Sequence, residues 1–63
     1  LSERELEVLQ LVADGMSNKE IAAELYIAPT TALDHMQSVM RKLQVNTRTA
    51  AAVAGLKLEL LGK

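Results

Sequence analysis

Apolar residues return along this chain in four stretches, most of them at the three- and four-residue spacing of one face of an α-helix. In the first stretch Leu9, Val12 and Ala13, with either Val8 or Leu6, make an inward stripe on a helix predicted over Glu3 to Ala13. Ser2 and Glu5 open that helix as an S-x-x-E capping box, each side chain accepting from the other residue's backbone N–H. The acidic first turn complements the helix dipole. Gly15 marks the stop, because glycine accepts the left-handed conformation past a helix end, and Met16 is expected to drop into the core. A second capping box, Ser17 with Glu20, starts a short helix whose apolar side is Ile21, Ala22 and Leu25. Tyr26-Ile27-Ala28 is a turn, and Pro29 suits the first position of a new helix, where its missing N–H costs nothing. Ala32, Met36, Val39 and Leu43 then form the buried face of a longer helix. Val45 is expected to plug the core, Asn46 or Thr47 to cap a last helix running from about Arg48 to Leu61, and Gly62 to end it.

Opposite the buried face of the longer helix stand Thr30, Asp34, Gln37 and Arg41, flanked by Leu33 and Ser38. Helices joined so closely cannot lie end to end. A helix held by one face against a short partner, with its N-terminal half projecting side chains outward, is the geometry that helix-turn-helix proteins place in the DNA major groove. The same spacing also fits an αα-hairpin that does nothing but pack. In the last helix, Ala50, Ala51, Ala52, Val53, Ala54, Leu56, Leu58, Leu60 and Leu61 spread around nearly the whole circumference. Such a helix calls for burial on more than one side. Val53, Leu56 and Leu60 lie on one side and Ala51, Ala54, Leu58 and Leu61 on another, and the pattern leaves open which faces the core. The outer stripe is a candidate dimer contact, with Val53, Leu56 and Leu60 as its residues. The plainer reading is a small helix with scattered exposed leucines.

With 63 residues the chain makes one domain over 1–63 with a thin core, and with Tyr26 as its one aromatic residue that core is built of Leu, Ile, Val, Ala and Met. The chain has no cysteine, which removes a disulfide framework or a Cys-based zinc site, and no cluster of metal ligands stands out. No apolar run reaches the roughly 18 residues of a membrane span, and no basic-then-apolar leader is present. The expectation is a soluble domain with no cofactor and no membrane partner. A start at Leu1 rather than Met predicts a piece of a longer protein. Net charge is −1, whereas a free-standing DNA-binding module usually carries a surplus of Lys and Arg. The distribution offsets this: Glu3, Glu5, Glu7 and Asp14 cluster in or next to the first helix, and Lys19, Arg41, Lys42 and Arg48 lie in or just after the central pair. Local potential, not the sum, is what a polyanion meets.

The run LSERELEVLQLVADGMSNKEIAAELYIAPTTALDHMQSVMRKLQVNTRTAA resembles the LuxR (GerE) type helix-turn-helix domain over almost the whole chain. The residues that carry the resemblance are Glu3-Arg4-Glu5, Val8-Leu9, Gly15, Ser17-Asn18-Lys19-Glu20-Ile21-Ala22, Thr31, His35, Lys42-Leu43-Gln44-Val45, Arg48 and Ala51. It implies an all-α, four-helix domain, with its helix-turn-helix pair at about 17–43 and its last helix at about 48–61. It further implies the cytoplasmic output module of a bacterial transcriptional regulator, such as a quorum-sensing regulator or a two-component response regulator. The third helix would read the major groove, the fourth would serve dimerisation, and a regulatory domain would be missing from this chain. The departures fall on the reading helix. Where such domains commonly carry Val, then a basic residue, and a polar or basic residue two after the His, this chain has Ala32, Leu33 and Gln37, with Asp34 beside them. The usual capping Ser is Ala28, a loss of about 1 kcal/mol.

Lys19, beside the N-terminus of the second helix, is expected to contact phosphate. Thr30 and Thr31 either bond phosphate through their hydroxyls or sit as polar residues at a helix start. Leu33 can contact a thymine methyl, Gln37 can bind adenine bidentately, and Asp34 can accept from cytosine N4. Lys19, Thr30, Thr31, Leu33, Asp34, Gln37, Ser38 and Arg41 are therefore the predicted DNA-facing set, with double-stranded DNA and a second copy of the chain, weakly held, as partners. Arg48 is expected to make a structural contact to the glutamates of the first helix. His35 is expected at a boundary between helices; a general base would need an oriented partner and a pocket, and no enzymatic activity is predicted. The alternative is a domain of the same fold that works mainly through protein contacts, with weak or lost DNA binding.

Overall fold

A computed structural model describes residues 1–61 and shows four helices in chain order: α1 (Glu3–Ala13), α2 (Asn18–Leu25), α3 (Pro29–Leu43) and α4 (Arg48–Lys57). Both capping boxes form. The Ser2 hydroxyl accepts from the Glu5 N–H at 3.2 Å while the Ser2 N–H donates to Glu5 Oε1 at 2.8 Å, and Ser17 and Glu20 repeat the pair at the same distances. Thr47, not Asn46, caps α4, its Oγ1 accepting from the Ala50 N–H at 3.0 Å. Ala28 supplies no side-chain cap to α3, so Pro29, which has no N–H to satisfy, carries that helix start.

All four helices stop in the same way. Gly15, Tyr26, Gln44 and Glu59 take left-handed conformations with φ of 91°, 58°, 58° and 57°. The next N–H then reaches back to a carbonyl of the last turn: Met16 to Leu11, Ile27 to Ala22, Val45 to Met40 and Leu60 to Gly55, at 2.8 to 3.1 Å. This is the six-to-one bond of the Schellman motif, and the residue donating it is apolar each time. Met16, Ile27 and Val45 use the reversal to pack against the core, as expected for Met16 and Val45.

At the fourth stop the predicted span is overturned. α4 ends at Lys57 and not near Leu61, because Glu59 adopts the left-handed form although it is not glycine, a cost of about 1 kcal/mol. Gly62, the expected stop, lies outside the described residues. Leaving the helical path at Leu58 changes which side chains share a face. Leu58 does not continue the Ala51–Ala54 stripe but stands 61% exposed, while Leu61 folds back over Gly55.

The core is Val8, Leu9 and Val12 of α1, Ile21 and Ala22 of α2, Ala32, Met36 and Val39 of α3, and Ala51 of α4. Val8 thus takes the place left open between it and Leu6, which is half-buried. Ala13 is exposed, since it lies about 90° around α1 from the centre of the stripe. The inner side of α4 is Ala51 and Gly55, with no large side chain, so α4 comes close to α1: a Cβ at Gly55 would stand 2.9 Å from Leu9 Cδ2. Val53 and Leu56 are left outside, 44% and 51% exposed.

Arg48 has a structural role, but with other partners than expected. Its guanidinium donates to Asn18 Oδ1 and, at 2.6 Å, to the Met16 carbonyl, tying the start of α4 to the turn between α1 and α2. At the first position of α4 it borders Val12, Ala13 and Gly15, the C-terminal end of α1 and not its acidic first turn.

Candidate nucleic-acid interface

One face of α3, Ala32, Met36 and Val39, is buried, and this fixes what the other presents. Thr30, Leu33, Asp34, Gln37 and Arg41 are exposed together, as the periodicity requires, and Lys19 is exposed at the start of α2. Thr31 and His35 are half-buried at the edge of the helix contact, so His35 sits at the expected boundary. Ser38 is different from its predicted neighbours. It is half-buried, and its hydroxyl donates to Glu5 Oε2 at 2.5 Å, directed at α1 and away from the outward face.

Glu5 positions α3 against α1, a role that pattern reading saw only in part. Only 5% exposed, its carboxylate accepts from Ser38, from the Ser2 N–H and, at 2.9 and 3.2 Å, from Lys42 Nζ. The Ser38 hydroxyl, the Ser2 backbone N–H and the Lys42 ammonium together lower its pKa from 4.5 to about 2, against the opposing effect of burial. A signal was present in the sequence: Glu5 lies on the same stripe as Val8, Leu9 and Val12, and a carboxylate on an apolar stripe demands buried partners.

This arrangement decides which cations are available to a ligand. Of the four in or beside the central helix pair, Lys42 is engaged by Glu5 and Arg48 by Asn18 and Met16. Lys19 and Arg41 have no hydrogen-bond or ion-pair partner among the described residues. Asp34 has none either, so its charge stands uncompensated on the outward face of α3. A surface groove of about 420 Å³ floored by Leu6, Leu11, Leu25, Leu60 and Leu61 lies between α1, α2 and the chain end and shares no residue with this face.

A short helix, a turn closed by a left-handed residue and a longer helix exposing one polar side is the helix-turn-helix arrangement. The family model for bacterial regulatory proteins of the luxR family matches residues 1–54. Among curated relatives, the transcriptional regulatory protein DegU of Brevibacillus brevis is 46% identical over 57 residues, which is 90% of this chain and 24% of that protein. The transcriptional regulatory protein LiaR of Bacillus subtilis is 49% identical over 53 residues, 84% of this chain and 25% of that protein. Of solved structures, the response regulator ChrA of a heme-sensing two-component system superposes with a TM-score of 0.94 at 41% identity, covering 97% of this chain and 30% of that one. The transcription factor GerE superposes with a TM-score of 0.91 at 34% identity, covering 98% of this chain and 92% of that one. The chain belongs to the luxR family of bacterial regulatory proteins, and it is a DNA-binding domain homologous to those of response-regulator transcription factors. It spans about a quarter of the length of the curated relatives it matches. No helix among the described residues is long and apolar enough to cross a membrane.

Proposed function

We propose that α3 enters the major groove of duplex DNA, with Lys19, Thr30, Thr31 and Arg41 positioned on phosphates and Leu33, Asp34 and Gln37 facing base edges. The observation that supports this most is the exposed set Thr30, Leu33, Asp34, Gln37 and Arg41 on a helix whose other side is locked into the core. Ser38 acts in this scheme through Glu5, holding α3 in place. With Lys19 and Arg41 as the unpaired cations beside the reading helix among the described residues, the slope of log affinity against log salt should be shallow, about −1.8 per domain. Lys19→Ala or Arg41→Ala should weaken binding to all duplexes alike and reduce that slope by about 1, as measured by titration at two salt concentrations. Chemical-shift changes on DNA addition confined to α1 and α4 would show the assignment to be wrong.

A second copy would pair through α4, on the face of Val53 and Leu56, which are 44% and 51% exposed; Leu60, expected on the same stripe, lies past the end of α4 at Lys57 and borders the groove beside α1 and α2 instead. A two-fold pair presents two α3 helices to half-sites, and the coupling raises effective concentration where single-site binding is weak. Leu56→Glu should stay folded, since that side chain faces outward, yet bind DNA as a monomer in sedimentation with and without duplex. Assembly on DNA identical to the parent's would remove α4 from the interface. The response-regulator homologues, about four times as long as their matched segment, support a cytoplasmic parent protein in which a second domain controls this one.

A further inference from the structure

We infer that Asp34 makes the half-site carry a cytosine, with an adenine read by Gln37 on the adjacent or next base pair; this rests on the major-groove reading above and specifies its target. Asp34 is exposed on the outward face of α3 and has neither a hydrogen bond nor an ion pair among the described residues. Its neighbours one turn away, Thr30, Thr31, Gln37 and Ser38, bring no cation. Lys42 and Arg48 are directed elsewhere, held by Glu5 and by Asn18 and Met16. The group that enters the groove is therefore a carboxylate, an acceptor only.

Major-groove edges sort sharply against such a group. Guanine offers N7 and O6, thymine offers O4, and adenine pairs its N6 donor with the N7 acceptor beside it; cytosine alone offers an amino donor, N4, with no acceptor on its own edge, the neighbouring O6 belonging to the paired guanine. A carboxylate set against guanine or thymine loses its water for a repulsive contact, and against adenine it meets N7 beside the N6 donor, so the discrimination comes as much from the bases it refuses as from the one it takes. Gln37 follows Asp34 by three residues, about 4.5 Å along the helix axis, against about 3.4 Å per base pair. The two side chains thus address adjacent or next-adjacent pairs, and the exposed Gln37 amide matches the N6 and N7 groups of adenine. The same charge opposes the phosphates, so general affinity is lowered where selectivity is raised.

The test is selection from a random duplex pool with the wild-type chain, followed by competition titrations with Asp34→Asn and Asp34→Ala, folding being checked by circular dichroism. The wild type should enrich a cytosine whose replacement by any other base weakens binding roughly ten-fold or more. Asp34→Asn should move the preference at that position from cytosine to adenine, Asp34→Ala should abolish it, and both should bind random duplex more tightly than the parent. Binding that persists with no enriched cytosine, or with a cytosine preference unchanged in both variants, overturns this inference and leaves the groove reading intact. No binding to any duplex at low salt overturns both.

Discussion

Glu5→Ala is expected to destabilise the domain by about 2 to 3 kcal/mol, because it leaves the Ser38 hydroxyl and the Ser2 N–H without their acceptor and Lys42 without its counter-charge. Lys42 is half exposed and can turn to water, which keeps the loss below that of a fully buried pair. For a chain of this length the total stability is only about 3 to 9 kcal/mol, so urea unfolding should show a large fall in midpoint. Glu5→Gln keeps an acceptor for Ser38 and should lose less. The pH dependence has a definite sign. The folded pKa, about 2, lies below the ordinary 4.5, so the unfolded chain takes up the proton first. The contribution, on the order of 2 kcal/mol, is whole above pH 4.5, declines as pH falls from there toward 2, and is gone below. In Glu5→Gln that loss within the window should be missing. Equal acid sensitivity in the parent and Glu5→Gln would show that Glu5 is not the group responsible.

Gly55→Val should lower the melting temperature by more than about 10 °C, from a loss of about 2 to 3 kcal/mol. A Cβ at this position meets Leu9 Cδ2 at 2.9 Å and Leu61 Cδ1 at 3.2 Å, and Leu9 is fully buried with nowhere to retreat. Gly55→Ala sets a gain of about 1 kcal/mol in helix propensity against a milder form of the same crowding, and should come out near neutral. Thermal unfolding followed at the helical band separates the two. A valine variant as stable as the parent would mean that α4 can stand further from α1 than the packing implies.

What the sequence made legible was local, and what it hid depended on distance along the chain or on a residue in an unusual conformation. Both capping boxes, the stop at Gly15 and the split of α3 into buried and outward faces follow from residues within one or two turns of each other. Glu5 was legible as the local half of a cap; its bonds to Ser38 and Lys42, 33 and 37 residues away, belong to the fold. Ser38 therefore read as a flank of the DNA-facing set when its hydroxyl is directed at α1. Arg48 was rightly seen as structural, yet its partners depend on which end of α1 lies under the start of α4. The end of α4 was hidden because Glu59 does what glycine usually does, and no side-chain pattern announces that. The close approach at Gly55 was equally silent, since an isolated glycine within an alanine-rich helix looks like filler until its neighbour is known.

The carboxylate of Glu5 also sets the rotational phase of the reading helix. Ser38 and Lys42 are successive points on one side of α3, and both are fastened to the same group, so the helix cannot roll about its axis without breaking both. A roll of one residue would swing every outward side chain by about 100°. The entropy of ordering that helix is therefore spent during folding and not at the moment of contact with DNA, which leaves more of the contact energy as affinity. Where Lys19 and Arg41 are the unpaired cations beside the reading helix and Asp34 opposes them on it, that rigidity is the counterweight to a weak electrostatic pull.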